Sequence, residues 1–181
     1  MINIRDIKTD PADQPDQHDL AAITAIYRHH VLNGTASFEI EPPSSSEMAT
    51  RMAQLHAGGY PILVAMHHNT LCGYAYAGPH KPRAAYNQTV EDSVYVSDDQ
   101  RGNGIGRQLL AQLIEAAAAR GYYQMMAVIG DSDNTASIGL HRTLGFRHIG
   151  TAQEIGFKFG RRLDIVYMQR ALQPAPQSGS T

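Results

Sequence analysis

The chain has 181 residues, of which 43% are apolar, and a net charge of −2. That length suits one domain with a proper core, and the near-neutral charge gives bulk electrostatics no reason to attract nucleic acid. No run approaches the ~20 apolar residues of a membrane span, and the lone cysteine, Cys72, excludes an internal disulfide framework.

MINIRDIKTD has no basic region followed by an apolar core, so no signal peptide is expected. With a single thiol this predicts a cytoplasmic protein. INIRDI alternates and predicts a first strand. HDLAAITAIYRHHVL has apolar residues at Leu20, Ile23, Ile26 or Tyr27, and Val31. That is helical spacing, and Asn33-Gly34 stops it. SSSEMATRMAQLHAGG opens with serine caps near Glu47 and closes at Gly58-Gly59, a second helix. YPILVAMHH and LCGYAYAG flank Asn69-Thr70 and predict a hairpin. GPHKPRAAYN is a loop and QTVEDSVYVS a strand. GIGRQLLAQLIEAAAAR predicts a helix, YYQMMAVIG a strand, and NTASIGLHRTLG a short helix closed by Gly145. FRHIGTAQEIGFKFGRRLDIVYMQRAL predicts two strands turning near Gly160. The expected order is β-α-α-β-β-β-α-β-α-β-β over residues 1–172. This is one mixed α/β (α+β) domain whose sheet is largely antiparallel before the glycine loop. QPAPQSGST, 173–181, is expected to be a disordered tail.

The glycine loop lies between the fourth strand and the third helix. A P-loop requires Lys-Ser/Thr after its last glycine, and here Arg107-Gln108 follows Gly106. A dinucleotide fold requires G-x-G-x-x-G, near the start of a parallel domain, but Gly102, Gly104 and Gly106 give G-x-G-x-G in mid-chain. The remaining pattern is Arg/Gln-x-x-Gly-x-Gly/Ala, which Arg101-Gly102-Asn103-Gly104-Ile105-Gly106 fits. Without Cβ atoms, backbone amides can approach a pyrophosphate closely. They open a helix whose N-terminus favours anions, and Arg101 and Arg107 add charge. The alternative is a tight turn with a glycine-rich cap.

Downstream, Asn134 is followed by Ser137, His141 and Gly145-Phe146 in NTASIGLHRTLGF. Together with the glycine loop, this resembles the GNAT acyltransferase superfamily, over about Glu91 to Phe146. YAYAGPHKPRAAYNQTVEDSVYV and EIGFKFGRRLDIVYMQ extend the likeness to the phosphinothricin and methionine sulfone or sulfoximine N-acetyltransferase group. The resemblance implies a GNAT fold, a twisted and largely antiparallel sheet flanked by helices. It also implies acetyl-CoA as donor, the α-amino group of a small amino-acid analogue as acceptor, direct transfer in a ternary complex, and a homodimer.

The same resemblance assigns Glu91 as the base, acting directly or through a water; the alternative is an ordinary surface glutamate. Alternation turns Asp92 to the opposite face and makes it the weaker candidate. The backbone of Val94-Tyr95-Val96 is expected along the acyl-pantetheine arm, pairing with it as a strand would. One of its amides is expected to face the oxyanion. Asn134 is expected to cap its helix and contact the cofactor, the alternative being a cap alone; Ser137, one turn on, is the weaker candidate. His141 stands where many superfamily members carry a tyrosine that protonates the leaving thiolate. A histidinium could do the same or only hydrogen-bond the cofactor. Arg83 and Tyr86 are expected to supply a guanidinium fork and a hydroxyl to the acceptor. Phe38 and Lys158 are further acceptor contacts implied by the resemblance; the alternative for each of the four is a surface charge or a core aromatic.

The nine histidines show no H-x-x-x-H spacing, and there is no C-x-x-C, so no metal site is expected. Two other readings stay open: a protein N-terminal or lysine acetyltransferase, and a non-catalytic acyl-CoA-binding regulator.

Overall fold

A computed structural model describes residues 1–9 and 14–172. The expected tail, 173–181, lies outside the described residues. The chain order is β1 (Ile2–Asp6), α1 (Gln17–Asn33), α2 (Ser45–Ala57), β2 (Ile62–His67), β3 (Thr70–Pro79), β4 (Thr89–Val96), α3 (Ile105–Ala119), β5 (Gln124–Gly130), α4 (Thr135–Thr143), β6 (Arg147–Lys158) and β7 (Arg161–Ala171). This is the expected order, with two unanticipated 3-10 turns at Ala84–Tyr86 and Asp98–Gln100.

Local chemistry sets the helix ends. Asp16 caps α1 by accepting from the amides of His18 and Asp19, and the Gly34 amide closes it on the His30 carbonyl. Ser44 and Glu47 form a reciprocal capping box on α2. The β2–β3 turn is His68-Asn69, one residue earlier than expected, and both residues have positive φ. Such a turn matches the twist of the flanking strands.

The strands form one sheet in the order β1-β2-β3-β4-β5-β7-β6. Every neighbour is antiparallel except β4 and β5, which run parallel. That parallel seam is short: Thr89, Val90 and Glu91 pair with Gln124, Met125 and Met126, and pairing stops there. On their outer sides, β4 stays paired with β3 up to Val96 and β5 with β7 up to Gly130. The two central strands therefore diverge past Glu91 and leave a wedge of unpaired inner edges.

Each face of the sheet has its own core. α3 covers one face with Ile105, Leu109, Leu110 and Leu113 against Ala75, Val90, Met125 and Met168. α1 and α2 cover the other with Ile23, Tyr27, Met48 and Met52 against Val64, Tyr74 and Tyr95. Leu109, Leu110 and Leu113 are fully buried, so each contributes on the order of 1.5–3 kcal/mol through burial.

Candidate active site

Alternation along β4 divides its side chains between the two cores. Glu91, Ser93 and Tyr95 face the α1–α2 side, and Asp92, Val94 and Val96 face the α3–α4 side. A cavity of about 370 Å³ lies on the first side, lined by Tyr27, Arg51, Tyr74, Tyr76, Glu91 and Ser93. A groove of about 570 Å³ lies on the second, along Val94, Val96, Gly104, Gly106, Asn134 and Leu140. Between them the wedge encloses a space of about 60 Å³. It shares Ser93 with the cavity, and Val94, Asn134 and Ser137 with the groove. Two compartments on opposite faces thus meet where β4 and β5 part.

The groove suits an anion at its α3 end. Gly102 and Gly104 have φ of 79° and 73° with open space where a Cβ would stand. Gly104 is the N-cap of α3 and offers no side-chain acceptor to the first amides of the helix, so those amides are left for a ligand. Gly106 is different, being helical. A Cβ there would sit 3.5 Å from Leu140, 3.7 Å from Val96 and 3.9 Å from Val94, narrowing the groove without straining the fold. Arg101 and Arg107 border the groove, and the exposed Arg101 pairs with Asp98 at 3.0 Å. Asn103 is exposed and does not line it. At the opposite wall Asn134 caps α4 by accepting from the Ser137 amide at 3.2 Å. Its Nδ2 has no protein partner among the described residues and is left as a donor.

Glu91 lines the cavity, and its carboxylate lies 3.0 Å from Nδ1 of His80. Burial pushes its carboxyl pKa up, the hydrogen bond and charge of His80 pull it back, and the charge of Asp92 raises it further; the balance is upward. A carboxylate with raised affinity for a proton is a better base. His80 meets the Tyr86 ring edge to face, centroids 5.9 Å apart, so Tyr86 is linked to Glu91 through His80. Arg83, in the same loop, is exposed and makes no side-chain hydrogen bond or ion pair among the described residues. It lines neither the cavity nor the wedge.

His141 is 4% exposed on α4. Its Nδ1 lies 2.7 Å from the Ser137 carbonyl and its Nε2 2.9 Å from Oδ2 of Asp92. Burial opposes the charged ring, but the hydrogen bond and charge of Asp92, with the Ser137 carbonyl, outweigh it and raise its pKa.

The acetyltransferase (GNAT) domain family matches residues 13–167. The chain belongs to the GNAT acetyltransferases. It is 52% identical over 154 residues to a phosphinothricin N-acetyltransferase of Alcaligenes faecalis, covering 85% of this chain and 78% of that one. It is 48% identical over 160 residues to an L-methionine sulfoximine/L-methionine sulfone acetyltransferase of Pseudomonas paraeruginosa, covering 86% of this chain and 91% of that one. Among solved structures, a GNAT superfamily phosphinothricin acetyltransferase from Sinorhizobium meliloti in complex with AcCoA superposes with a TM-score of 0.88 at 42% identity. That match covers 99% of this chain and 93% of that one.

Two residues expected at the acceptor of this GNAT enzyme, Lys158 and Phe38, do not line the Glu91 cavity. Lys158 is 3% exposed, and its ammonium donates to the carbonyls of Gly34 and Ser37 at 2.8 and 2.7 Å. The end of β6 runs beneath the loop after α1, and the lysine ties the two together. Phe38 likewise acts as a spacer. A Cβ on Gly156 would collide with its ring, so that glycine is needed to seat it, whereas one on Gly130 would collide first with the Thr35 carbonyl oxygen. The Tyr95 side chain points away from the donor groove and packs on Tyr27, His30 and Tyr74, leaving only its backbone at the wedge.

Sequence reasoning missed several residues of the site. His80 reads as a solvated loop histidine until the fold brings it to Glu91. His30 donates from Nε2 to the Val96 carbonyl at 2.9 Å and fixes the end of β4; burial lowers its pKa, which keeps the ring neutral. Arg161 lines the groove and pairs with Asp131, which has a positive φ. A histidine at helical spacing on the apolar face of α1 was the one available signal, for His30.

Proposed function

We propose that the enzyme moves an acetyl group from acetyl-CoA to the α-amino group of a small amino-acid analogue of the phosphinothricin, methionine sulfoximine or methionine sulfone kind. Transfer is direct, with both substrates bound. The observation that carries this reading is the wedge: the Glu91 cavity and the glycine-loop groove each share lining residues with the space where β4 and β5 are unpaired. The named chemistry of the relatives supplies the substrate class.

The groove takes the donor. Amides of Gly102 to Arg107 face its pyrophosphate, Arg101 and Arg107 add charge, and Asn134 and Ser137 meet the arm near α4. The acceptor arrives as an ammonium ion at neutral pH. Glu91 takes one proton, and the freed amine forms the C–N bond at the thioester carbonyl carbon. An amide of Val94–Val96 donates to the oxyanion that forms. The C–S bond then breaks, the nitrogen releases its second proton, and the sulfur leaves as CoA thiol. The proton on Glu91 passes to solvent beside His80. Tyr86 and Arg83, on the loop above Glu91, close over the acceptor.

We place the catalytic unit at residues 1–172, in the cytoplasm, as a homodimer. No helix among the described residues is long and apolar enough to cross a membrane. The exposed Ile149, Ile155, Phe157 and Phe159, on edge strand β6 and its turn, support assembly through that strand; light scattering that gives a monomer would refute the dimer. The functional test is CoA release from acetyl-CoA across α-amino acids, peptides and lysine, with the product located by NMR. Acetylation at the α-nitrogen of the sulfoximine, sulfone or phosphinate acceptors is expected. Transfer to peptides alone, or CoA binding with no transfer, would overturn the reading.

A further inference from the structure

Among the described residues, one buried side-chain polar atom has no hydrogen-bond partner: Oδ1 of Asp92. Its sister atom, Oδ2, holds Nε2 of His141. The two side chains are 3% and 5% exposed. The other ring nitrogen faces the Ser137 carbonyl, which can only accept. A neutral imidazole has one N–H and cannot satisfy two acceptors. With Asp92 as a carboxylate, the ring must therefore carry both protons, and both are committed to protein atoms. Among the described residues its surroundings supply no second charge. β4 presents Asp92, its own helix presents Ser137, and the segment after α4 presents the edge of Phe146 at 5.0 Å.

A buried ion pair recovers its desolvation cost only if its remaining lone pairs are met. This pair leaves one unmet, and an unmet buried acceptor is destabilising. It also sits in a functional place rather than deep in the core: Asp92 and His141 line the wedge with Ser93, Val94 and Ser137. The proposed reaction builds negative charge there, first on the carbonyl oxygen and then on sulfur.

We propose that Asp92 is a positioning residue for acetyl transfer, locking His141 as a permanent imidazolium whose charge, not its proton, acts on the reaction in the wedge. A preorganised charge in a dry site stabilises developing charge without any proton transfer. The thiolate then leaves beside a cation and takes its proton from the reacting nitrogen or from water. The inference rests on the wedge being the seat of transfer, and it assigns work to a carboxylate that the base mechanism leaves idle.

The ligand-free enzyme tests it without any substrate. Histidine ¹⁵N NMR between pH 6 and 9 is expected to show His141 with both nitrogens protonated at pH 7.5. In Asp92→Asn its titration midpoint falls by more than about one unit. In the same variant kcat falls by at least about tenfold at pH 8. A basic limb absent from the wild type appears in the kcat profile, following the His141 titration. Acetyl-CoA affinity, read by calorimetry, changes little. A purely structural pair would lower stability without creating that limb. Should Asp92→Asn fail to fold, the wild-type spectrum decides: a singly protonated ring at pH 7.5 overturns the proposal. So does an Asp92→Asn enzyme with wild-type kcat and no new limb. If the wild type fails to bind acetyl-CoA in the calorimeter, the proposed function falls, and the ring spectrum still reads the pair.

Discussion

Glu91, which lines the cavity, and His80 are held carboxylate to imidazole at 3.0 Å. The contact sets two opposing influences on the base, since burial raises its proton affinity and His80 lowers it. In the wild type, kcat/KM should fall as pH drops through a Glu91 pKa above the ordinary 4.5. His80→Ala removes the opposing influence, so that acid limb should move to higher pH. A pH–rate profile checks this, and an unmoved limb would detach His80 from the base.

Glu91→Gln keeps the shape and removes the base. The expected loss in kcat/KM is ~10²–10⁴-fold, with acetyl-CoA binding retained because the glycine groove lies on the opposite face of β4. Raising pH should recover part of the rate as free amine accumulates. A variant insensitive to pH would count against a base role.

Gly106→Ala separates stability from binding. The position is helical and the added Cβ meets only ordinary contacts, so the fold should gain up to ~1 kcal/mol. The same methyl stands against Val94, Val96 and Leu140 in the donor groove, so KM for acetyl-CoA should rise. Differential scanning calorimetry paired with steady-state kinetics would show both shifts or refute the groove assignment.

The Asp92–His141 pair should also appear in stability. A histidine whose pKa is raised on folding contributes stability that is fully present below its unfolded value, about 6.5, and is lost as pH rises through the folded value. His141→Gln leaves Asp92 buried and unpaired, which costs about 3–5 kcal/mol. The melting temperature of the wild type should decline above neutrality, and the variant should lose that slope.

Lys158→Met should lower the melting temperature rather than disturb acceptor kinetics. The two carbonyls it serves belong to the loop after α1, and hydrogen bonds to a charged group are worth about 1.5–3 kcal/mol. At ~2–4 °C per kcal/mol for a chain of this size, the loss is readily measured. A raised acceptor KM at unchanged stability would restore Lys158 to the binding site.

Much of the fold was legible because its signals are local. Ser44 with Glu47, Gly34 after α1, and the double positive-φ turn all act within a few residues, so element order could be read with small errors at the ends. The glycine loop and Asn134 were legible for the same reason. Alternation also turned Asp92 away from Glu91 as expected. What it could not supply was the partner, since His141 lies on another element and only folding brings them together. The surroundings of Lys158 and Phe38 were not legible for a related reason. Their surroundings depend on how β6 crosses beneath a distant loop, and no spacing within KFG or TASF encodes that crossing. The length of the β4–β5 seam was invisible altogether, because pairing that stops after Glu91 leaves strands of ordinary composition.

That short seam has a cost for the empty enzyme. Between Asp92 and Val96 on one side and Ala127 and Gly130 on the other, the middle of the sheet lacks its cross-links. A donor lying there would complete the sheet much as a missing plank closes a floor. At a hundredfold excess over its dissociation constant, such a ligand adds about 2.7 kcal/mol to the folded state. On the proposed function, resistance to heat and proteolysis should therefore rise with the concentration of acetyl-CoA.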